Sequence, residues 1–244
     1  MSVLLASRTQ TGTEAPPGTA LDVWRIDLAV TDDVLAAAAA LMTPAELARA
    51  DRGTPVVRRR RMVLRAALRS VLGQALGLAP VDVPLCTSPT GRPVVDSPSS
   101  GWDVTCSRSA DVGLVAVARG LRIGIDVERV RPWTDAVRRE GWLTPTESAG
   151  LDQLPMAERP DAATRCWTQK EAVLKAVGTG LSVSPLLVSV SADRARAGRW
   201  YLSPVSVPNG FAATFACSAP LHPAGATLVP AVLDGIATAD GTQP

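Results

Sequence analysis

The arrangement of apolar and polar positions predicts short strands in both halves of the chain. Apolar and polar side chains alternate in residues 21–28 and again in residues 121–128, which is typical of a strand with one buried face. Other short apolar segments bounded by turn residues also predict strands. These segments are residues 103–106, 112–118, 186–191, 199–203 and 211–217.

Helix-start signals place helices between these strands. A helix is expected through the alanine run at residues 36–40. The sequences Thr43-Pro44-Ala45-Glu46 and Thr144-Pro145-Thr146-Glu147 share a capping-box pattern with proline in the first turn, so each predicts the start of a helix.

Two longer helices are predicted from periodicity. Residues 56–76 form an amphipathic pattern, with Leu64, Leu68 and Leu72 among the apolar positions. A second helix is expected over residues 162–177, where Gly178 provides the C-cap.

Because helices and strands recur in each half, we expect an α+β fold made of two similar lobes. The first lobe is placed at residues 20–119 and the second at residues 120–235, with a cleft between them. Residues 1–19, which are rich in Thr, Gly and Pro, are expected to be disordered, and residues 236–244 to form a loose tail.

The overall composition is that of a soluble globular protein, and it narrows the choice of partners. Of 244 residues, 46% are hydrophobic and 20% charged, and the net charge is only +2, which argues against bulk nucleic-acid binding. No apolar run reaches the ~20 residues of a membrane span, and no signal peptide is recognised. Four scattered cysteines and the single histidine, His222, indicate neither disulfides nor zinc, so a reducing cytoplasm is the expected compartment.

Two carboxylates lie on one face of the strand predicted at residues 121–128. Asp126 and Glu128 are two positions apart, so their side chains point the same way, ~7 Å from each other. Like charges at this spacing repel, and a cation would relieve the repulsion. The alternative is the solvated face of an edge strand, and this pattern alone leaves both interpretations open.

A third carboxylate and a lysine share one face of the helix predicted at residues 162–177. Glu171 and Lys175 are i,i+4 neighbours, with Lys170 beside them and Trp167 one turn back. A surface ion pair worth ~0.3–0.5 kcal/mol is the simple alternative. Together with the strand carboxylates, however, the set suits Mg²⁺, which binds few carboxylates and completes its shell with phosphates and water. The sequence therefore predicts a magnesium–pyrophosphate site.

Arginines recur along the helix predicted at residues 56–76. Their helical spacing is seen at Arg58, Arg61, Arg65 and Arg69. A nucleic-acid surface is one interpretation, but few aromatic residues accompany the arginines. Binding of a few ligand phosphates is the more economical hypothesis, because the arginine fork matches phosphate oxygens.

Further candidates for phosphate binding lie outside that helix. Arg49 and Arg52 are one turn apart in the preceding predicted helix. Ser107 and Arg108 end a predicted strand at a polar turn, where hydroxyls that bond their own backbone are the ordinary alternative. Gly91-Arg92-Pro93 alone is a weak loop signal.

Taken in order, these segments resemble the 4′-phosphopantetheinyl transferases of the surfactin-synthetase-activating type, over about residues 21–217. The most specific pair is Gly124-Ile125-Asp126-Val127-Glu128 and Trp167-x-x-Lys170-Glu171-Ala172-x-x-Lys175. Weaker elements are Arg61-x-x-Leu64-x-x-x-Leu68, Gly91-Arg92-Pro93, Ser107-Arg108-Ser109, Trp142-Leu143-Thr144-x-x-Glu147 and Gly178-x-Gly180-Leu181. The resemblance implies two α+β lobes related by a pseudo-twofold axis, with coenzyme A in the cleft between them.

The resemblance also implies a reaction and a division of roles. The phosphopantetheine arm of coenzyme A is transferred to a serine of an apo acyl or peptidyl carrier protein of fatty-acid, polyketide or nonribosomal-peptide synthesis, releasing 3′,5′-ADP. Asp126, Glu128 and Glu171 would hold Mg²⁺, with Glu171 or a metal-bound water as the base. Lys175 would neutralise the pyrophosphate with support from Lys170. The nucleotide part of coenzyme A would contact Arg49, Arg61, Arg92, Pro93, Ser107 and Arg108.

One position departs from the family pattern. Arg108 stands where the family usually has histidine, and because arginine is always charged we expect coenzyme A binding to be retained and to depend less on pH at this contact. Two other hypotheses remain: a non-catalytic coenzyme A or nucleotide-binding module, and a nucleic-acid module. A chain that supplies both walls of its own cleft is expected to be a monomer.

Overall fold

Two antiparallel sheets packed face to face form the centre of the protein. The computed structural model describes residues 5–9, 20–97, 101–190, 195–220 and 227–230. The first sheet has the strand order β11-β1-β2-β6-β5, the second has the order β7-β10-β9-β8, and β3 pairs with β4 alone. The strands are β1 (Leu5–Thr9), β2 (Ala20–Asp27), β3 (Leu85–Thr87), β4 (Pro93–Val95), β5 (Trp102–Ser109), β6 (Val112–Arg119), β7 (Ile123–Arg129), β8 (Arg196–Ala197), β9 (Trp200–Pro204), β10 (Phe211–Cys217) and β11 (Thr227–Pro230).

The helices occur in two groups, one in each half of the chain. They are α1 (Asp32–Ala40), α2 (Pro44–Ala50), α3 (Pro55–Leu76), α4 (Asp135–Arg138), α5 (Pro145–Asp152) and α6 (Arg159–Val177). Short 3₁₀ turns follow the two long helices, at Pro80–Asp82, Gly180–Ser182 and Pro185–Leu187. No helix in the described ranges is both long and apolar enough to cross a membrane.

A helix–sheet–sheet–helix arrangement follows from how the faces of the two sheets are covered. Helix α3 packs on the outer face of the first sheet, where Leu68 joins a buried cluster with strand residues. Between the sheets, Leu114 of β6 lies in one cluster with Phe215 of β10, while Ala172 of α6 covers the outer face of the second sheet. Because β6 is covered on both faces, residues 112–118 are all buried, which explains their unbroken apolar sequence.

The predicted α+β class is confirmed, and most predicted elements form close to their expected bounds. The strand predicted at residues 186–191 is an exception, because its described part, residues 186–190, begins within the 3₁₀ turn Pro185–Leu187 and contains no strand, while residue 191 lies outside the described residues. The carbonyls of Pro185 and Val188 accept hydrogen bonds from the buried Nζ of Lys170. A side chain, and not a neighbouring strand, therefore satisfies this backbone.

The terminal segments also differ from expectation. Residues 5–9, predicted to be disordered, form β1, which pairs with β2 on one side and with β11 on the other. Composition alone does not show that the edge of β2 offers backbone partners, which is why this prediction was wrong. Strand β11, placed by the sequence in the second lobe, belongs to the first sheet. The predicted tail at residues 236–244 lies outside the described residues.

Side chains join the two sheets where β5 lies beside β7. Asp103 Oδ2 accepts a hydrogen bond from the backbone N–H of Ile123 at 2.9 Å, and Thr105 Oγ1 accepts one from the N–H of Ile125 at 3.4 Å. The polar face of β5 thereby fixes the position of β7, the strand that carries two of the predicted metal ligands.

Candidate active site

A lysine, an aspartate and a serine from three different elements form a closed triangle of hydrogen bonds. Lys175 Nζ on α6 lies 2.6 Å from Asp126 Oδ1 on β7 and 2.8 Å from Ser107 Oγ on β5. Ser107 Oγ in turn donates to Asp126 Oδ1 at 2.7 Å. Burial opposes the charged form of Lys175, but the Asp126 carboxylate outweighs it, so the pKa of Lys175 lies above its ordinary value. The structure thus brings together predicted site residues from both halves of the chain.

Ser109, to which no sequence pattern assigned a role, holds Glu128. Ser109 Oγ donates to Glu128 Oε2 at 2.8 Å and accepts from the backbone N–H of Arg129 at 3.0 Å. The second bond directs the hydroxyl proton toward the carboxylate. Burial, and then the negative charge of Asp126, raise the pKa of Glu128. The two-residue period of β5 could have revealed Ser109, since it shares a face with Ser107.

Glu171 lies on the face of α6 that carries Lys175, in agreement with the i,i+4 spacing. Among the described residues, Glu171 Oε1 and Asp126 Oδ2 are buried oxygens without a hydrogen-bond partner. Burial raises the pKa of Glu171, the positive charge of Lys175 counteracts the rise, and the carboxylates of Asp126 and Glu128 reinforce it. The cluster therefore has an excess of negative charge and two bare oxygens.

A glycine on β7 permits the close packing that creates this cluster. A Cβ atom added to Gly124 would lie 1.9 Å from the carbonyl oxygen of Ala172 and 2.5 Å from the nitrogen of Ala176. Helix α6 therefore rests directly on the strand backbone. At this separation Lys175 reaches Asp126, so Gly124 contributes to the site through the space it leaves open.

The carboxylates of this cluster suit a hard cation whose remaining ligands are supplied by substrate and water. In the described part of the chain, no three Asp, Glu, His or Cys side chains are placed so that they could hold a metal ion as they stand. Mg²⁺ does not need such an all-protein cage, because it commonly uses one or two carboxylates together with substrate phosphates and water. The bare oxygens of Asp126 and Glu171 supply suitable ligands. The assignment of all three carboxylates as ligands stays a prediction.

An arginine-lined cavity of about 550 Å³ reaches the strand that carries Ser107. Its wall reaches the site through Cys106 and Arg108, the two neighbours of Ser107 on β5. The other residues that line it come from α2, α3 and the loops around them: Met42, Glu46, Arg49, Ala50, Arg52, Arg61, Leu64, Arg65, Thr87, Gly91 and Pro93.

Ion pairing separates the arginines of this region into two groups. Most arginines of α3 pair with carboxylates: Arg58 with Asp51, Arg59 with Asp32, Arg60 with Asp111, and both Arg65 and Arg69 with Glu46. In the described ranges, no carboxylate forms an ion pair with the remaining cavity arginines, Arg49, Arg52, Arg61 and Arg108. Burial, and then the positive charge of Arg61, lower the pKa of Arg108. This crowding of like charges suits an anion.

A second cavity, of about 320 Å³, lies next to Glu128 and has an aromatic lining. Trp133, Trp142 and Trp167 all line it, and the rings of Trp142 and Trp167 meet edge to face with centroids 5.2 Å apart. The indole N–H groups of Trp133 and Trp142 are buried without a partner among the described residues. Charged side chains, among them Arg129, Arg131 and Glu140, share the lining with the indole rings, so the cavity offers both apolar surface and polar groups to a ligand.

The charged groups of Arg92 and Lys170, two residues predicted to bind coenzyme A, are held by other protein groups. The Arg92 guanidinium donates to Asp103 at 2.6 Å and to the carbonyl oxygens of Val104 and Ile123 at 3.3 and 3.1 Å. It therefore ties β5 to β7, although the neighbouring Pro93 lines the arginine cavity.

Lys170 is fully buried on another side of α6. Its Nζ pairs with Glu147 Oε2 at 2.8 Å and donates to the carbonyl oxygens of Pro185 and Val188 at 3.0 and 2.7 Å. The structure thus separates Lys170 from its neighbour Glu171. Sequence proximity grouped them, but consecutive helical residues point about 100° apart.

Comparison with known proteins identifies the family. The family model of the 4′-phosphopantetheinyl transferase superfamily matches residues 122–225, the part that contains β7 and α6. The 4′-phosphopantetheinyl transferase HetI of Nostoc sp. is 37% identical over 164 residues, which are 66% of this chain and 69% of HetI. The chain belongs to the 4′-phosphopantetheinyl transferase superfamily, and it is an enzyme that transfers phosphopantetheine to carrier proteins.

A more distant relative covers a smaller part of the chain. The 4′-phosphopantetheinyl transferase of Bacillus subtilis is 26% identical over 117 residues, which are 48% of this chain and 50% of that protein. The similarity therefore extends across two bacterial relatives of the same named activity.

Proposed function

We propose that this transferase takes coenzyme A as donor, Mg²⁺ as its metal, and a serine of an apo acyl or peptidyl carrier protein as acceptor. The observation that carries the proposal is that neighbours of the Asp126–Glu171–Lys175 cluster line two cavities: Glu128 lines the tryptophan cavity, and Cys106 and Arg108, on either side of Ser107, line the arginine cavity. Coenzyme A has a phosphorylated nucleotide at one end and an uncharged arm at the other, joined by a pyrophosphate. Each part thus finds a surface of matching chemistry.

The nucleotide end belongs in the arginine cavity. Arg49, Arg52, Arg61 and Arg108 have no carboxylate partner among the described residues, so their guanidinium groups are available to phosphate oxygens. Pro93 lines the same cavity, and Ser107 lies on β5 between the lining residues Cys106 and Arg108. Arg92 and Lys170, whose charged groups are held elsewhere, would contribute by fixing the positions of their neighbours.

The pantetheine arm belongs in the tryptophan cavity. Its apolar stretches match the indole rings, and its amide carbonyl oxygens could accept from the unpartnered N–H groups of Trp133 and Trp142. This placement leaves the pyrophosphate at the carboxylate–lysine cluster, where the pyrophosphate bond is broken.

The chain supplies ligands, charge and a proton acceptor for the transfer. Asp126, Glu128 and Glu171 would hold Mg²⁺, which when bound would neutralise charge on the phosphate oxygens. The ammonium group of Lys175 would orient the pyrophosphate. The serine oxygen of the carrier forms a bond to the β-phosphorus, the bond from that phosphorus to the leaving phosphate breaks, and 3′,5′-ADP departs. Glu171 accepts the serine proton, a role that its raised pKa favours.

We further propose that the enzyme is of the surfactin-synthetase-activating type. Its lobes, predicted at residues 20–119 and 120–235, would be related by a pseudo-twofold axis, with β11 of the second segment crossing to the sheet of the first lobe. The proposal is supported by the order of elements, because each half has a capping-box helix, then a long helix ending at a glycine, then antiparallel strands. A chain with both lobes is proposed to act as a cytoplasmic monomer, which a solution mass measurement tests. Fatty-acid, polyketide and nonribosomal-peptide carrier domains are the proposed acceptors.

One reaction tests the proposal. The protein is incubated with coenzyme A, Mg²⁺ and apo carrier domains of the three pathways, and each carrier is weighed by mass spectrometry. We expect one phosphopantetheine mass on the serine, together with one equivalent of 3′,5′-ADP. Omission of Mg²⁺ should abolish the mass shift. An unchanged mass on every carrier tried would refute the proposal.

A further inference from the structure

The same buried network of side chains occurs once in each half of the protein. In the first half, Glu46 accepts from the Thr43 N–H at 2.9 Å and pairs at 2.7 Å with Arg69, whose side chain is 2% exposed. In the second half, Glu147 accepts from the Thr144 N–H at 2.8 Å and pairs at 2.8 Å with Lys170, whose side chain is 0% exposed.

In both networks the buried cation also holds the backbone that follows its helix. Arg69 Nη1 donates to the carbonyl oxygens of Pro80, Val81 and Val83 at 2.7, 3.1 and 3.2 Å. Lys170 Nζ makes the corresponding bonds to Pro185 and Val188. Each cation therefore joins a capping-box helix, a long helix and the chain beyond that helix.

The spacing of the two networks is identical. Arg69 follows Glu46 by 23 residues, and Lys170 follows Glu147 by the same interval. The left-handed glycine that ends each long helix, Gly77 or Gly178, stands at the same distance beyond its cation. Because Thr, Glu, cation and glycine all recur in one register, the two networks are equivalent in construction.

The equivalent long helices differ at the reactive positions. The residues that follow Arg69 at the spacing of Glu171 and Lys175 are Ser70 and Gln74. The first half therefore keeps the supporting network without the carboxylate and the lysine. A network that persists where no reactive pair is present has a function of its own, which is to fix helices.

Helix geometry shows what the network fixes in the second half. With about 100° between successive residues, Ala172, which rests against Gly124, lies about 200° around α6 from Lys170. Glu171 and Lys175 lie between them, at about 100° and 140°. The Lys170 network and the contact with β7 thus hold α6 from opposite sides. They prevent the helix from rotating and keep Glu171 and Lys175 directed at Asp126.

In the first half the network fixes the arginine cavity. Glu46 lies on α2, which also carries Arg49, and it pairs with Arg65 and Arg69 of α3, which also carries Arg61. Glu46 itself lines the cavity. The position of α2 relative to α3 therefore sets the distance between Arg49 and Arg61.

We infer that Lys170 with Glu147, and Arg69 with Glu46, are matching positioning pairs: the first aligns the metal and proton-transfer residues, and the second aligns the nucleotide-binding arginines. The inference builds on the proposed function of the two cavities and the carboxylate cluster. Lys170 was expected to contact coenzyme A directly; in this inference it acts only by positioning Glu171 and Lys175.

Two matched substitutions, Glu147→Gln and Glu46→Gln, test the inference. Glutamine can keep the capping-box hydrogen bond, while it removes the charge and replaces the second carboxylate oxygen, which in Glu147 accepts from the Val190 N–H at 3.0 Å. Coenzyme A affinity is measured by calorimetry in EDTA, and Mn²⁺ affinity of the coenzyme A complex by electron paramagnetic resonance. We expect Glu147→Gln to weaken Mn²⁺ binding about tenfold, and Glu46→Gln to weaken coenzyme A binding about tenfold, with the other affinity in each variant changed by less than about twofold.

The contrary outcomes are distinct. Equal losses of both affinities in both variants would show general destabilisation and overturn the inference. A loss of coenzyme A affinity in Glu147→Gln as large as that in Lys175→Ala would assign Lys170 to the ligand instead. If Glu147→Gln does not fold, the double variant Glu147→Gln/Lys170→Met, which leaves no buried charge unpaired, must show the same selective loss of Mn²⁺ affinity. Wild-type protein that binds neither ligand would refute the proposed function itself.

Discussion

Gly124 and Ala172 are in such close contact that the strand and the helix touch backbone to backbone. The carbonyl oxygen of Ala172 lies 1.9 Å from the point where a Cβ on Gly124 would stand. Asp126 is on the same strand and Lys175 on the same helix, and their 2.6 Å contact depends on this packing. The glycine of the Gly-Ile-Asp-Val-Glu segment is thus as necessary to the site as its carboxylates.

Gly124→Ala is expected to slow transfer strongly. The added methyl group must push α6 away from β7, which should destabilise the protein by about 1–3 kcal/mol and lower the rate by about 100-fold or more. Urea unfolding and the carrier mass assay measure the two effects. Gly150→Ala is the control, because its Cβ would meet nothing within 4 Å. Equal activity of the two variants would contradict the packing argument.

Arg61→Gln should weaken 3′,5′-ADP binding while Arg60→Gln leaves it intact. The two arginines are adjacent on α3, but Arg60 pairs with Asp111 at 2.8 Å, whereas Arg61 lines the cavity. Loss of a charge-assisted hydrogen bond should weaken binding by about 10-fold or more in the first variant. Calorimetry with 3′,5′-ADP provides the measurement. Similar affinities of both variants would remove Arg61 from the nucleotide site.

Trp133→Ala should separate binding of the arm from binding of the nucleotide. Trp133 lines the cavity next to Glu128 and does not line the arginine cavity. We expect coenzyme A affinity to fall by about tenfold, because an aromatic contact and a hydrogen-bond donor are lost together, whereas 3′,5′-ADP affinity stays unchanged. If both ligands weaken equally, the arm does not occupy this cavity.

Glu171→Gln should remove catalysis and stabilise the metal-free protein. Coenzyme A binding should remain detectable. The pKa of Glu171 is raised above its ordinary value of 4.5, so in EDTA the wild type loses stability as pH rises from 4.5 through the raised pKa. Glutamine removes this loss, so in EDTA at neutral pH the variant should have a higher melting temperature than the wild type. Wild-type turnover in the variant would contradict the proton-transfer role.

The contribution of Glu46 to the free energy of unfolding should depend on pH in the opposite direction to that of Glu171. Burial alone would raise its pKa, but the hydrogen bond from Arg69 and the other contacts outweigh burial and lower the pKa below 4.5. The unfolded chain therefore binds its proton more readily, so this stability is complete above pH 4.5 and is lost as pH falls through the lowered pKa. Glu46→Gln should be less stable by about 1–3 kcal/mol at neutral pH, with the difference vanishing in acid. A difference that persists at the lowest pH would exclude a contribution from the Glu46 charge.

The sequence predicted much of the local structure because local structure depends on near neighbours. The Thr-Pro-x-Glu signals at Thr43 and Thr144 both form capping boxes, and α6 ends at Gly178, where its C-cap was expected. The i,i+4 spacing placed Glu171 with Lys175 correctly. Predictions failed where distant partners decide, as in β1, which needs the edge of β2, and in the turn at Pro185, which needs Lys170.

By itself, therefore, the sequence determined which residue types were available: three carboxylates, a lysine on one helical face, and a surplus of arginines. Only the tertiary structure decided which of these groups remain free. Arg61 and Arg69 look alike along α3, yet Arg69 is neutralised by Glu46 and Arg61 faces a cavity. Lys170 and Lys175 look alike along α6, yet one is buried against Glu147 and the other reaches Asp126. The physical reason is that the state of a charge depends on the burial and the counter-charges supplied by other elements, which no local pattern contains.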